Sequence, residues 1–235
     1  MRRVLLVVLL MLGALAPLGC AGADGQRAQE LLEESDRALA QVDSFRFSGR
    51  MTMEMPVGDF RVVLFGGGDA KPGGAFFMTM KAPEIPEFPE TTMVVRGDEA
   101  WMKLDGGWQS APIPPVQATG IEQFDFAEFV KDVDLDEDSE VDGKPAVKIT
   151  GVIDTAALFD GLLGQLGATG GGPMPDLSEM LGDTRAVIYL SQDSHLPLRM
   201  LLDLSMEIQG EEVDMHLDYA ITNVNEPVEV PDPGA

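Results

Sequence analysis

From Phe45 the chain alternates. Phe45, Phe47, Gly49, Met51, Met53 and Met55 take one set of positions; Arg46, Ser48, Arg50, Thr52 and Glu54 take the other. A period of two sustained this long predicts an extended strand with one buried face. The pattern returns near the end of the chain. Leu198, Met200, Leu202, Leu204, Met206 and Ile208 alternate with Arg199, Asp203, Ser205 and Glu207, and Val213, Met215, Leu217, Tyr219 and Ile221 alternate with Asp214, His216 and Asp218. Shorter stretches read the same way at 60–64, 76–80, 91–96, 99–104, 108–110, 146–152 and 185–190. Turn residues separate them: Pro56 to Asp59, Gly97-Asp98, Asp105 to Gly107, Asp142 to Pro145 and Gln209 to Glu211. The glycine runs 66–68 and 73–74 read as punctuation, 83–89 as a loop and 111–120 as a Pro-rich connection.

Helical spacing is rarer. Ala28, Leu31, Leu32, Ser35, Leu39 and Val42 fall near one face, with Glu and Arg opposite, and Asp24 is placed to cap that helix. Phe124 to Val130 reads as a short helix, Thr155 to Leu166 as a helix capped by Asp154, and 176–182 as a single turn. Gly167 to Pro175 reads as a flexible, lid-like loop. The sum is about ten or eleven antiparallel strands, with no βαβ alternation and no internal repeat. That predicts an α+β fold, one large curved antiparallel sheet with helices on its concave face. Two or three short helices cover little of so many apolar strand faces. Either the sheet closes on itself or an apolar cavity remains.

The first nineteen residues belong to neither pattern. Arg2 and Arg3 precede an uncharged run from Val4 to Leu18, then Gly19 and Cys20, the only cysteine. The run is shorter than the roughly 20 residues a membrane-spanning helix needs. A charged start, an apolar middle and small residues before the cut form a processing pattern. We read 1–19 as a lipoprotein signal peptide, Cys20 as the lipidated first residue, 20–26 as a tether, 27–225 as the folded domain and 226–235 as a disordered acidic tail. Pro17 occupies the position where a lipobox usually has Leu. Ordinary secretion with cleavage near Ala21 or Ala23, and an uncleaved anchor, therefore remain alternatives. A single cysteine forms no internal disulfide and no thiol-based metal site.

Charge narrows the partners. The chain carries 40 acidic against 16 basic side chains, a formal charge of −24, and removing the leader takes two arginines away. Such a chain is repelled overall by phosphate backbones and by anionic lipid headgroups, which argues against nucleic acid binding. The acids are spread along the chain, as in a solvated surface.

Reactive chemistry is absent from the pattern. His195 lies in a turn and His216 on the polar face of a strand, neither with a partner at zinc-ligand spacing. There is no Gly-x-Ser-x-Gly elbow, and no glycine cluster leads through Lys-Ser/Thr into a helix. The run Asp132 to Asp138 lacks the Gly and Glu of a calcium loop and reads as a solvated loop. The sequence gives no catalytic residues, no metal and no cofactor, and no case for an enzyme. What remains is an apolar inventory on strand faces: Phe45, Phe47, Met51, Met53, Phe76, Met78, Met80, Met200, Met206 and Met215. Each alone reads as ordinary core. Together, flexible Met side chains suit a surface that accepts variable alkyl chains.

Several stretches carry a resemblance. Val42 to Gly49 follows a helix, Gly107-Trp108 lies mid-chain, and Val141 to Gly151 precedes Ile153-Asp154. Val187, Tyr189 and Leu190 then precede Leu196-Pro197-Leu198-Arg199. In this order, after a lipobox, they resemble the LppX/LprAFG lipoproteins of actinobacteria, related in fold to the lipoprotein carrier LolA, over about residues 25–225. The resemblance implies a half-open antiparallel barrel with helices at its mouth, whose cavity holds acylated lipid or glycolipid for carriage across the cell envelope. It offers no catalytic residue to carry over. The leader and Cys20 place the protein at the outer face of the cell membrane, lipid-anchored, and the further expectations are an envelope transporter as a partner and a monomer. The alternative is a non-enzymatic interaction or sensor lipoprotein in which the same fold has a filled core.

Overall fold

The computed structural model describes residues 22–54, 58–71, 73–85, 88–104, 107–111, 126–153, 184–208 and 211–234; the side chains of 206–208 and 211–212 are not among them. The leader with Cys20, Met55, the helix expected at 155–166, the lid-like 167–175, the turn at 176–182 and most of 111–120 lie outside the described residues.

Eleven strands form one antiparallel sheet. They are β1 (Ser44–Glu54), β2 (Phe60–Asp69), β3 (Ala75–Lys81), β4 (Thr91–Arg96), β5 (Glu99–Leu104), β6 (Gly107–Ser110), β7 (Val130–Val141), β8 (Lys144–Ile153), β9 (Thr184–Ser191), β10 (Pro197–Ile208) and β11 (Glu211–Thr222). Their spatial order is β6-β5-β4-β3-β2-β1-β11-β10-β9-β8-β7. Two meanders thus meet where β1 pairs with β11, from Arg46 opposite Thr222 to Glu54 opposite Asp214. β6 and β7 are left as edges, and the curved sheet stays open, as a half-open barrel.

Helix α1 (Ala23–Leu39) packs against β7 and against α2 (Phe126–Phe129). Its apolar stripe explains its seat: Ala28, Leu31, Leu32, Ser35 and Leu39 are buried, and they join Val147, Ile149, Ala186, Ile188, Leu190 and Met200 in the main core. The cap differs from expectation. Gly22 is the N-cap residue, and Asp24 lies within the first turn, where its charge favours the positive end of the helix. Polar bonds fix the helix pair. The Asp36 carboxylate accepts the N–H groups of Phe126 and Ala127 at 3.1 and 3.0 Å, which satisfies two donors at the start of α2. Gln29 donates to the Ala127 carbonyl at 2.7 Å.

Three local expectations are corrected. Residues 132–138 are not a loop but the body of β7. Val133 and Leu135 pack toward the core, while the acids between and after them stay exposed, as suits an edge strand that must not recruit a second sheet. The register shifts twice along β7, and Asp132 adopts a left-handed φ of 51° at the first shift, which disguises the alternation. The run Gly66-Gly67-Gly68 does not end β2, which continues through it to Asp69. The tail after Glu226 is tied down rather than free. Ser44 Oγ donates to the Glu226 carbonyl at 2.7 Å, and Arg96 donates to the Pro231 carbonyl at 3.0 Å. Asp232 lies 3.5 Å from the same arginine, on the face of β4 where Val94 is buried.

Candidate functional site

The two ends of the concave face differ. Under α1 the β8–β10 half is sealed: Ile149, Ala186, Ile188 and Leu190 are fully buried. Across β1–β6 the same face is apolar and, in large part, only half-buried. Phe45 and Phe47 are buried against the core, and Leu64, Phe76 and Met78 pack onto its margin. Met51, Met53, Met80, Met93, Met102 and Leu104 are only half-buried.

Strand register arranges this surface. Met78, Met93 and Met102 stand directly opposite one another on β3, β4 and β5. The row continues to Gly66 on β2 and Phe47 on β1. In the adjacent row Met80 lies opposite Leu64 and Thr91. Met53 lies between Phe60 and Met215. An aromatic ledge closes the row. The Phe47 ring stacks on Phe76 at 5.8 Å and on Tyr219 at 5.2 Å, and burial pushes the Tyr219 phenol above its ordinary range.

The expected lining residues thus divide. Phe45, Phe47 and Met200 are core. Phe76 and Met78 sit at its margin, and Met51, Met53, Met80 and Met215 lie on the half-buried surface. The side chain of Met206 lies outside the described residues. Met93, Met102, Leu64 and Leu104 belong to the same face and were not singled out from the sequence. The alternation of Met93 with Val95, and of Met102 with Leu104, carried the signal.

Two hollows flank the core. An apolar crevice between Leu39, Phe126, Met200, Tyr219 and Ile221 has about 10 Å³ of free space, roughly the room of one water. A polar cleft of about 340 Å³ lies between α1, β7 and the β9–β10 turn, lined by Arg27, Glu137, Asp138, Gln192 and His195. His195 Nδ1 is 3.2 Å from Glu34 there. The cleft is charged where the concave face is apolar.

A polar cluster occupies the opposite, convex face. His216 Nδ1 lies 2.8 Å from Asp203 and Nε2 lies 3.5 Å from Glu54. Ser205 is hydrogen-bonded to Asp214, not to the histidine. Both ring nitrogens therefore face carboxylates, and the imidazole takes no proton from the serine. The hydrogen bond to Asp203 raises the His216 pKa, partly opposed by desolvation. A group raised in the folded state stabilises it below the unfolded value and loses that contribution as pH rises through the folded value. His216→Ala should therefore lower stability at about pH 5–6 and leave it unchanged near pH 9. Because the ring is 48% exposed, the difference should be under about 1 kcal/mol; parallel urea melts at the two pH values check it. Among the described residues no group of His, Cys, Asp and Glu is arranged to hold a metal ion, and no helix is long and apolar enough to cross a membrane.

The architecture is that of a half-open antiparallel barrel. Its likeness to solved structures is extensive. LprF from Mycobacterium bovis superposes with a TM-score of 0.58 at 19% identity, over 90% of this chain and 99% of that one. The lipoprotein LppX from Mycobacterium tuberculosis superposes with a TM-score of 0.53 at 18% identity, over 88% and 99%. The chain shares their fold. No family model matches the sequence, and no curated protein does.

Proposed function

We propose that this protein is a membrane-anchored extracytoplasmic lipoprotein that binds acylated lipid or glycolipid on the β1–β6 half of its concave face and carries it across the cell envelope. The observation that supports this best is the Met-rich surface of Met51, Met53, Met80, Met93 and Met102, apolar and half-buried. Unbranched thioether side chains repack around alkyl chains of differing shape. Each methylene buried there contributes about 0.8 kcal/mol, so even one acyl tail is held usefully. The shared fold with LppX and LprF supports the same reading. It assigns no catalytic residue, no cofactor and no metal. Its partners are the lipid, the membrane through an anchor at Cys20, and an envelope transporter that supplies or receives cargo; the protein acts as a monomer.

Native mass spectrometry of the gently purified protein should show adducts of lipid mass. A bare protein mass from a lipid-rich host would sink the proposal. The anchor has its own test. Cys20→Ala should move the protein from the membrane fraction to the soluble fraction with its melting curve unchanged. An unfolded variant would make Cys20 structural instead. The tight packing under α1, with its 10 Å³ crevice, favours a second reading, a non-enzymatic interaction or sensor module with a filled core, which predicts partner capture without lipid.

A further inference from the structure

The convex face of β1–β6 carries a different signal. Strand register sets Trp108, Lys103, Thr92, Thr79, Phe65 and Ser48 in one row across six strands. The Thr79 and Thr92 hydroxyls bond at 3.0 Å and pin its middle. The next row holds Lys81, Val63 and Arg50. Phe65 is 38% exposed, one of two large apolar side chains so open among the described residues. Lys81 Nζ lies 5.7 Å from its ring centre, and Lys103 Nζ lies 5.8 Å from that of Trp108.

Arg50, Lys81 and Lys103 are exposed on a chain whose formal charge is −24. Three carboxylates near them are engaged elsewhere, while Glu99, four residues before Lys103 on β5, is exposed on the same face. Asp218, opposite Arg50, gives both oxygens to Arg199 at 2.8 and 2.6 Å. Glu54, at the end of β1, faces His216 at 3.5 Å. Glu84, beyond β3, pairs with Arg61 at 3.0 Å. The face therefore combines cations free to meet an anion with aromatic rings that lie at the surface.

We propose that this convex face docks on an anionic lipid surface. Lysine ammonium groups held over aromatic rings on an exposed face match a bilayer interface. There the rings sit at headgroup level and the heads reach phosphate. Basic side chains are drawn to anionic leaflets within a Debye length. An acidic protein would answer the charges but would give the exposed Phe65 no apolar layer to enter. The docking stands whether or not the concave face holds lipid.

The chain contains its own probe. Its two tryptophans are Trp101 and Trp108, and alternation puts both on this face. The full chain, reconstituted in vesicles of phosphatidylcholine alone or doped with phosphatidylglycerol, should show blue-shifted emission and quenching by brominated acyl chains only in the anionic vesicles. High salt should reverse both effects. Lys81→Glu combined with Lys103→Glu should lower the docked-to-free ratio about twentyfold or more, at about fivefold for each cation removed. Circular dichroism would confirm the fold, and the exposed Arg50→Glu provides the same test should the double variant misfold. Equal emission in both vesicle types would overturn the proposal, as would a response that survives charge reversal. Binding of an acidic protein without any vesicle response would also overturn it and give the face to a protein partner.

Discussion

Gly66→Val is expected to destabilise the domain by about 3 kcal/mol, a fall in melting temperature of about 6–12 °C for a chain this size. The cause is local. A Cβ built on Gly66 would sit 2.2 Å from the Phe77 carbonyl oxygen and 2.7 Å from the Phe47 ring. The carbonyl belongs to the backbone of β3, so relief cannot come from a rotamer change and the strand pair must separate. The ring belongs to the ledge that stacks Phe76, Phe47 and Tyr219, so displacing it loosens β1 from β11 as well. Gly107→Ala is the matched control. Its nearest neighbour would be 3.9 Å away, and its thermal melt should be unchanged. A Gly66→Val melt that overlays the wild type would show that Phe47 does not rest on bare backbone.

The same glycine shows what the sequence hid. Glycine in a strand often marks close approach rather than a break, and only the register, with Phe47 opposite Gly66 and Phe45 opposite Gly68, distinguishes the two. Strands β1, β10 and β11 were legible because one face is apolar along their length and a period of two survives. β7 was not. It is an edge strand whose acids point to water and whose register shifts twice, so its alternation dissolves into what looks like a charged loop. The tail was misread for a related reason. Its residues are polar and Pro-rich, as in a free end, but it is held by backbone carbonyls, which no side-chain pattern announces. At the concave face, the individual methionines of β1 and β3 were legible. The meeting of Met78 with Met93 and Met102 was not, because a cross-strand row is set by pairing between strands.

Met80→Lys, and separately Met53→Lys, should abolish lipid retention while leaving the fold intact. Met80 is half-buried, opposite Leu64 and Thr91. In the free protein a lysine there can lay its stem along the apolar face and lift its ammonium into water. A bound acyl chain would cover that ammonium, and burying an unpaired charge is strongly unfavourable. The penalty therefore falls on the bound state alone. Even about 3 kcal/mol after relaxation lowers affinity more than a hundredfold, enough to lose lipid through purification. Met80→Leu keeps the surface apolar and should retain lipid, which separates loss of apolar character from loss of the thioether. Native mass spectra of the four proteins beside their melting curves make the comparison. A Met80→Lys protein that melts normally and still carries wild-type lipid would place the ligand away from the β3–β5 surface. Loss of lipid from Met80→Leu as well would mean that the sulfur, rather than the apolar face, makes the contact.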